Sequence, residues 1–290
     1  MNNLPSRSFI FFGEDAFSLV VLESLINAPL NLRPIAVVML EPISVSGQRL
    51  VSYCQAHGIA LIKTTSVRSY EFLSNFDKVD FDLTISAHFQ RILPAQLFKR
   101  ARIGGVNLHP SLLPKYRGMS PQHWPIVLGD SNTGVTVHYI DEGVDTGRIL
   151  RQVSIPMESG IYIHELQKKF LDVYKTIMVE AVERAIRGEP GQSQATDGGV
   201  YFHKVQDKDM EISLKLGVSR AYGQIRAFSL PYAGARFRDI KIMKATPVFD
   251  ARLLSEIRAS GAKQGIWQKG ESLYLIFEDG ALEVIKWRNV

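Results

Sequence analysis

Five short apolar runs, separated by helical patterns, constrain this chain more than any other feature. The runs lie at residues 8–12, 34–40, 59–62, 81–86 and 105–109, and the helical spacings between them at 17–26, 48–57, 70–76 and 93–98. Gly58 stands where the second helix should stop, and Pro94 sits in the opening turn of the fourth. Strand-length apolar runs alternating with amphipathic helices predict a mostly parallel sheet with right-handed crossovers. Such sheets hold ligands beyond the carboxyl ends of their strands. The fifth run ends in Asn107-Leu108-His109, and a further strand is expected at 134–139. Beyond it, Ile161, Leu166, Phe170, Ile177, Val179 and Val182 predict one long amphipathic helix over 160–186, covering a face of the sheet.

The remainder changes character. Residues 188–199 are dense in Gly, Pro, Gln and Ser and read as a linker. A helix over 218–228 is ended by Pro231, and short strands are expected at 241–243, 265–267, 272–277 and 282–285. The chain is therefore read as an α/β domain over residues 1–190 and a small β-rich domain over 200–290. A length of 290 residues suits two domains, and 46% hydrophobic residues suffice for full cores. Cys54 is the one cysteine, which excludes an intrachain disulfide and a cysteine metal cluster and suits a reducing cytoplasm. Glu14 and Asp15 break the first apolar run too early for a signal-peptide core, and no run approaches the ~20 residues of a membrane span. A soluble cytoplasmic protein is expected, with oligomerisation open. The net charge of +5 lies wholly in residues 200–290, which carry 15 Lys and Arg against 10 Asp and Glu. That bias would favour an anionic substrate only mildly.

The stretch from Val106 to Leu150 mixes turn-forming and polar residues with short apolar runs, as loops held on a sheet do. Asn107 and His109 are alternate residues of a strand and can share a face. The Asn amide is a neutral donor, the His a donor or base, and Asp145 a carboxylate able to orient the imidazole and raise its pKa. Together they suit acyl transfer to an amine without a covalent intermediate. Ser111 as a hydrolase nucleophile lacks a G-x-S-x-G frame, and a His109, His138 and Asp145 metal set lacks H-x-x-x-H spacing. The first strand–helix turn, Gly13-Glu14-Asp15-Ala16-Phe17, is not a dinucleotide fingerprint, and no P-loop occurs.

The run Asn107-Leu108-His109-Pro110-Ser111-Leu112-Leu113-Pro114-Lys115-Tyr116-Arg117-Gly118, followed by Asp141-Glu142-Gly143-Val144-Asp145-Thr146-Gly147, resembles the N10-formyltetrahydrofolate-dependent formyltransferases. Residues 86–94 and 225–235 extend the resemblance to sugar N-formyltransferases and methionyl-tRNA formyltransferases. It implies a Rossmann-like formyltransferase domain with a small C-terminal OB-like β domain. It also implies an enzyme using N10-formyltetrahydrofolate as co-substrate and no metal. Asn107, His109 and Asp145 match the family's catalytic Asn, His and Asp. The folate would sit beside Ser86, Ala87, His88, Phe89 and Arg91 on one side and Ile140, Asp141 and Gly143 on the other, meeting mostly backbone groups. Lys115, Tyr116, Arg117 and Gly118 would meet the acceptor.

The acceptor divides the family. Methionyl-tRNA formyltransferases carry a longer basic insertion after the second strand, where this chain has only Glu41-Pro42-Ile43-Ser44-Val45-Ser46-Gly47-Gln48-Arg49. Gripping an RNA backbone takes more cations than that. The expected acceptor is the amino group of a nucleotide-linked sugar, with methionyl-tRNA and a hydroxylated ornithine as alternatives. A catalytically silent folate- or nucleotide-binding module is a further class, against which the intact Asn107, His109 and Asp145 set stands.

Overall fold

The computed structural model describes residues 5–195, 199–261 and 263–290. Thr196, Asp197 and Gly198 of the turn-rich stretch lie outside the described residues, as do residues 1–4 and Ala262. The chain forms two compact units: Met1–Met119, Gly134–Ile155 and Lys169–Phe202 make the first, and Ser120–Thr133, Pro156–Lys168 and His203–Val290 the second.

In the first unit the chain runs β1 (Arg7–Phe12), α1 (Ala16–Asn27), β2 (Leu32–Leu40), α2 (Gln48–Ala56), β3 (Ala60–Thr64), α3 (Tyr70–Ser74), β4 (Leu83–Ala87), α4 (Ala95–Phe98), β5 (Gly104–His109) and a two-residue β6 (Arg117–Gly118). After α5 (Trp124–Leu128), which belongs to the second unit, come β7 (Asn132–Tyr139), β8 (Ile149–Pro156), the long α6 (Ile163–Ile186) and a two-residue β9 (Tyr201–Phe202). The main sheet has the order β3-β2-β1-β4-β5-β7-β8. Strands β1 to β5 pair in parallel, and β7 runs antiparallel to β5. This is the mostly parallel sheet that the alternation of runs predicts, and the Rossmann-like domain that the resemblance implies. Its central strand is apolar along its length because both faces are covered: Phe9, Ile10, Phe11 and Phe12 are all fully buried. On one side Ile10, Phe12 and Val38 join Phe72, Phe76, Phe81, Leu97 and Phe98 in a single core. Each such ring contributes about 1.5–3 kcal/mol by leaving water.

Strand order reverses between β1 and β4, the place where open sheets leave a crevice. Here side chains fill it. Asp15 caps α1 by accepting from Phe17 and Ser18 N–H, and Ser18 Oγ accepts in return from Asp15 N–H. That cap sets the Asp15 carboxylate 3.3 Å from His88 Nδ1, at the end of β4. The His88 ring stacks on Phe17 at 5.0 Å, and its Nε2 lies 2.9 Å from the Tyr174 hydroxyl. Tyr174 belongs to the buried stripe of α6, with Phe170, Ile177, Ala181 and Ala185. In the last turn of the helix, Arg184 donates to the Leu150 carbonyl of β8.

The second unit holds α5, α7 (Asp207–Met210), α8 (Gly217–Phe228), β10 (Ala235–Phe237), β11 (Ile240–Pro247), α9 (Ala251–Ala259), β12 (Gly265–Lys269), β13 (Ser272–Ile276) and β14 (Ala281–Asn289). Its five strands form an antiparallel sheet in the order β10-β11-β14-β13-β12. Ala221 and Ile225 of α8 pack on Ile242, Ala245, Leu275 and Leu282. The longest elements beyond the sequence reading are β8 and α9, and the short β6, α5, β9, α7 and β10 also go beyond it. Among the described residues no helix is long and apolar enough to cross a membrane.

Candidate active site

The end of β5 and the end of β7 carry the chemistry. Register pairs Asn107 directly with His138. The amide Nδ2 lies 3.2 Å from His138 Nε2, while His138 Nδ1 is 2.7 Å from the Tyr139 carbonyl. A carbonyl only accepts, so Nδ1 carries the His138 proton and Nε2 accepts from Asn107. This fixes which end of the Asn107 amide is nitrogen and leaves its second N–H as the donor for a ligand oxygen.

His109 is buried, 4% exposed, in the β5 terminus. Its Nε2 lies 2.8 Å from the Tyr116 carbonyl and therefore holds a proton in the neutral ring. The Nδ1 lone pair then faces Asp145 Oδ2 at 3.5 Å. Asp145 Oδ1 lies 3.5 Å from His138 Nε2, and Oδ2 accepts from Gly118 N–H at 2.8 Å. Burial alone would push the Asp145 carboxyl up, but a charge on His109 and the Gly118 N–H overcome it and hold it well below the usual carboxylate range. Burial also governs His109, pulling its imidazole below the ordinary value against the opposing pulls of Asp145 and the Tyr116 carbonyl. Asp145 does raise this imidazole, as expected, but desolvation of the ring outweighs the nearby carboxylate and sets the net direction. The two directions describe one state at neutral pH, a carboxylate beside a neutral imidazole. An arriving proton goes to His109 Nδ1, and the cation so formed keeps a second proton off Asp145. The pair is a base with one vacant proton position.

Local structure builds this geometry. Asp145 takes a left-handed backbone, φ 52°, at the tip of the loop joining β7 to β8. Asp141 closes that loop by accepting from Gly143 N–H and from the Thr146 hydroxyl. Gly147 is required there, since a Cβ would stand 1.7 Å from the Tyr139 carbonyl. Ser111 is fully buried and donates to the Lys115 carbonyl, while Thr136 donates to the Ser111 carbonyl. Its hydroxyl holds the loop after β5.

The structure brings Asn107, His109 and Asp145 together, and adds His138, which sequence reasoning considered only as a metal ligand. Its role could not be read without the β5–β7 register. The residues named for the folate fall into two groups. Ser86 and Ala87 are buried in β4, and the His88 side chain is engaged with Asp15 and Tyr174. Phe89 packs edge-on to Phe12 at 5.3 Å, and Arg91 is exposed, its guanidinium donating to the Gln90 carbonyl. Asp141 lies with Glu142, Arg68, Leu73, Ile92, Leu93 and Pro94 along an open cleft of about 340 Å³. Ile140 and Gly143 flank Asp141 in sequence; Ile140 N–H donates to Gly105 O. Of the acceptor residues, Lys115 is exposed, Tyr116 is buried with its carbonyl on His109, and Gly118 N–H serves Asp145. The Arg117 guanidinium donates to Gln194 Oε1 through Nε and Nη2.

Residues 40–182 match the family described as formyl transferase. The chain is 31% identical over 217 residues to a methionyl-tRNA formyltransferase of Levilactobacillus brevis, covering 71% of this chain and 68% of that one. It is 32% identical over 180 residues to the bifunctional polymyxin resistance protein ArnA of Wigglesworthia glossinidia brevipalpis, covering 62% of this chain and only 28% of that protein. In three dimensions it is similar to an N-formyltransferase from Helicobacter canadensis solved with folinic acid and dTDP-3-aminofucose. The TM-score is 0.74 at 21% identity, covering 97% and 99% of the two chains. With a neutral donor, a vacant base and an ionised carboxylate at one strand end, and with these relatives, the chain belongs to the formyl transferase family.

Proposed function

We propose that this protein transfers the formyl group of N10-formyltetrahydrofolate to the primary amine of a nucleotide-linked amino sugar. The observation that carries the reaction is the Asn107, His109 and Asp145 arrangement around one vacant proton position. Asn107's second N–H stabilises the oxygen of the formyl group as the amine attacks its carbon. The attacking nitrogen gives its proton to His109 Nδ1, and Asp145 holds the resulting imidazolium. Collapse breaks the bond to N10 of the folate, which takes the proton from His109. The products are a formamide and tetrahydrofolate, and the protein ends as it began.

The cleft beside Asp141 suits the donor by its chemistry. Ile92, Leu93 and Pro94 offer an apolar wall to a flat heterocycle, Asp141 and Glu142 accept from ring N–H groups, and Arg68 offers a cation to an acidic tail. For the acceptor, the segment between β2 and α2 is a tight turn in which Gly47 N–H donates to Ser44, and Glu41 to Gln48 hold no cation. An RNA backbone would find little there. The Helicobacter canadensis neighbour's nucleotide sugar supports the same choice. Methionyl-tRNA is the second reading, favoured by the Levilactobacillus brevis relative and the cationic 200–290 segment.

Tetrahydrofolate release, followed with nucleotide-linked amino sugars, hydroxyornithine and methionyl-tRNA supplied separately, tests the proposal. Turnover with an amino sugar is expected. Robust turnover with methionyl-tRNA alone would transfer the assignment to RNA.

A further inference from the structure

Residues 188–199 read as a linker, yet in the first unit the described parts of this stretch and the residues after it, 189–195 and 199–202, are bound along the site. The Tyr139 hydroxyl donates to Glu189 O at 2.7 Å, and Arg148 Nε donates to Pro190 O and Gly191 O. Ile149 and Gln192 exchange both backbone hydrogen bonds at 2.7 Å. Further on, β9 pairs with β6, Arg117 with Tyr201 and Gly118 with Phe202, and Met119 N–H donates to Phe202 O. Gly118 has φ 90°, and a Cβ on it would stand 2.5 Å from Phe202 O.

Gln194 stands at the centre of this strap. Its Nε2 donates to the carbonyls of Asp145 and Gly147, both at 2.8 Å. Its Oε1 accepts from Arg117 Nε and Nη2 at 3.2 and 2.6 Å. Both amide hydrogens and both oxygen lone pairs are therefore used, and the Arg117 fork forbids the amide from flipping. The carbonyls it holds are that of Asp145 itself, whose backbone sits at φ 52°, and that of Gly147 two residues on, so the left-handed turn carrying the carboxylate is tied down. The strap thus grips Asp145 from behind through Gln194, and through Phe202 it grips Gly118, whose N–H holds the carboxylate from the front.

We propose that Gln194, locked by Arg117, is a positioning residue that keeps Asp145 where its carboxylate holds the protonated His109. This rests on the catalytic role given above to Asp145. It assigns Arg117 to the catalytic carboxylate rather than to the acceptor's phosphates.

Three variants test it, with kcat, acceptor KM and the pH profile of kcat/KM as readouts. Gln194→Leu should lower kcat roughly 10- to 100-fold, the scale of an ångström-sized misplacement of a catalytic group. Acceptor KM should stay within about twofold. The acid limb of the profile should move down, because a displaced Asp145 withdraws the carboxylate that raises the His109 imidazole. Gln194→Glu keeps an acceptor for Arg117, and so the strap attached, but removes the two N–H donors. It should match Gln194→Leu in kcat while its Tm stays near wild type. Arg117→Ala should also lower kcat, and Arg117→Ala with Gln194→Leu should be no worse than the poorer single variant. A rise in acceptor KM at unchanged kcat for Arg117→Ala would return that residue to the acceptor. Wild-type kcat and an unmoved acid limb in Gln194→Glu, alongside an inactive Asp145→Asn, would overturn the positioning role alone. An active Asp145→Asn would instead sink the catalytic role given to Asp145.

Discussion

At the scale of single residues, the site works by withholding a proton. Tyr116's carbonyl accepts from His109 Nε2–H, and burial keeps the ring neutral, so Nδ1 is left open beside an ionised Asp145. His109→Ala should lose ~10² or more in turnover, and Asn107→Ala a further-reaching ~10² to 10³ because it removes the oxyanion donor. Single-turnover rates measured with saturating donor check both, and near-normal rates would remove either residue from the chemistry. Because the His109 imidazole is held below its ordinary value of 6.5, the base stays unprotonated well into mildly acidic pH. Activity should therefore persist below the pH at which an unperturbed histidine would have titrated. These three residues were readable because Asn-x-His at a strand end and Asp-Thr-Gly in a loop are local patterns. His138 was not, because what it does depends on an antiparallel partner 31 positions away in sequence.

At the scale of elements, helix and strand boundaries in the first unit follow the apolar periodicities closely. Where the reading fell short, the local signal was weak or was overridden. Strand β8 (ILRQVSIP) mixes Arg151 and Gln152 into its middle, so alternation is blurred on a strand at the edge of the sheet. Helix α9 carries a clear start, Asp250 accepting from Arg252 and Leu253 N–H, with Leu253, Leu254 and Ile257 at helical spacing. The strands around it drew the reading toward an all-β segment. Residues 189–195 look like linker because their side chains are polar and small, yet their order comes from backbone groups and one amide, which composition does not reveal. The β7–β8 loop makes its own prediction. Gly147→Ala drives a Cβ into the Tyr139 carbonyl, so the loop must rebuild and Asp145 must move. Stability should drop by about 1–3 kcal/mol, the range for a backbone position that admits no side chain, and formyl transfer should fall with it. Urea denaturation and turnover read the two effects, and a variant with wild-type values in both would contradict the close approach.

At the scale of the whole chain, acid should weaken the fold before it protonates the carboxylates. His123 is buried in the second unit, its Nδ1 2.9 Å from the Ala227 carbonyl, and burial pushes its imidazole down to about 4 from 6.5. Between those values the unfolded chain binds a proton that the folded chain does not, so stability falls as pH drops from 6.5 toward 4 and is level below. The size is roughly 3 kcal/mol at about 1.4 kcal/mol per unit. Urea midpoints at several pH values should show this slope, and His123→Gln should flatten it; an equally steep slope in the variant would assign the acid sensitivity elsewhere. Asp145 acts in the same direction in a lower window. Its folded carboxyl lies below the unfolded value of 3.8, so the stability it lends is present above 3.8 and lost as pH falls further.

The central claim is chemical, that one vacant proton position between His109 and Asp145 takes the proton of an attacking amine during formyl transfer. The most direct measurement is mass-spectrometric detection of the formylated amine when protein, N10-formyltetrahydrofolate and a nucleotide-linked amino sugar are combined, comparing wild type with Asp145→Asn. Product formed by the wild type and reduced ~10²-fold or more in the variant is the expected result. Equal formylation by both would contradict it.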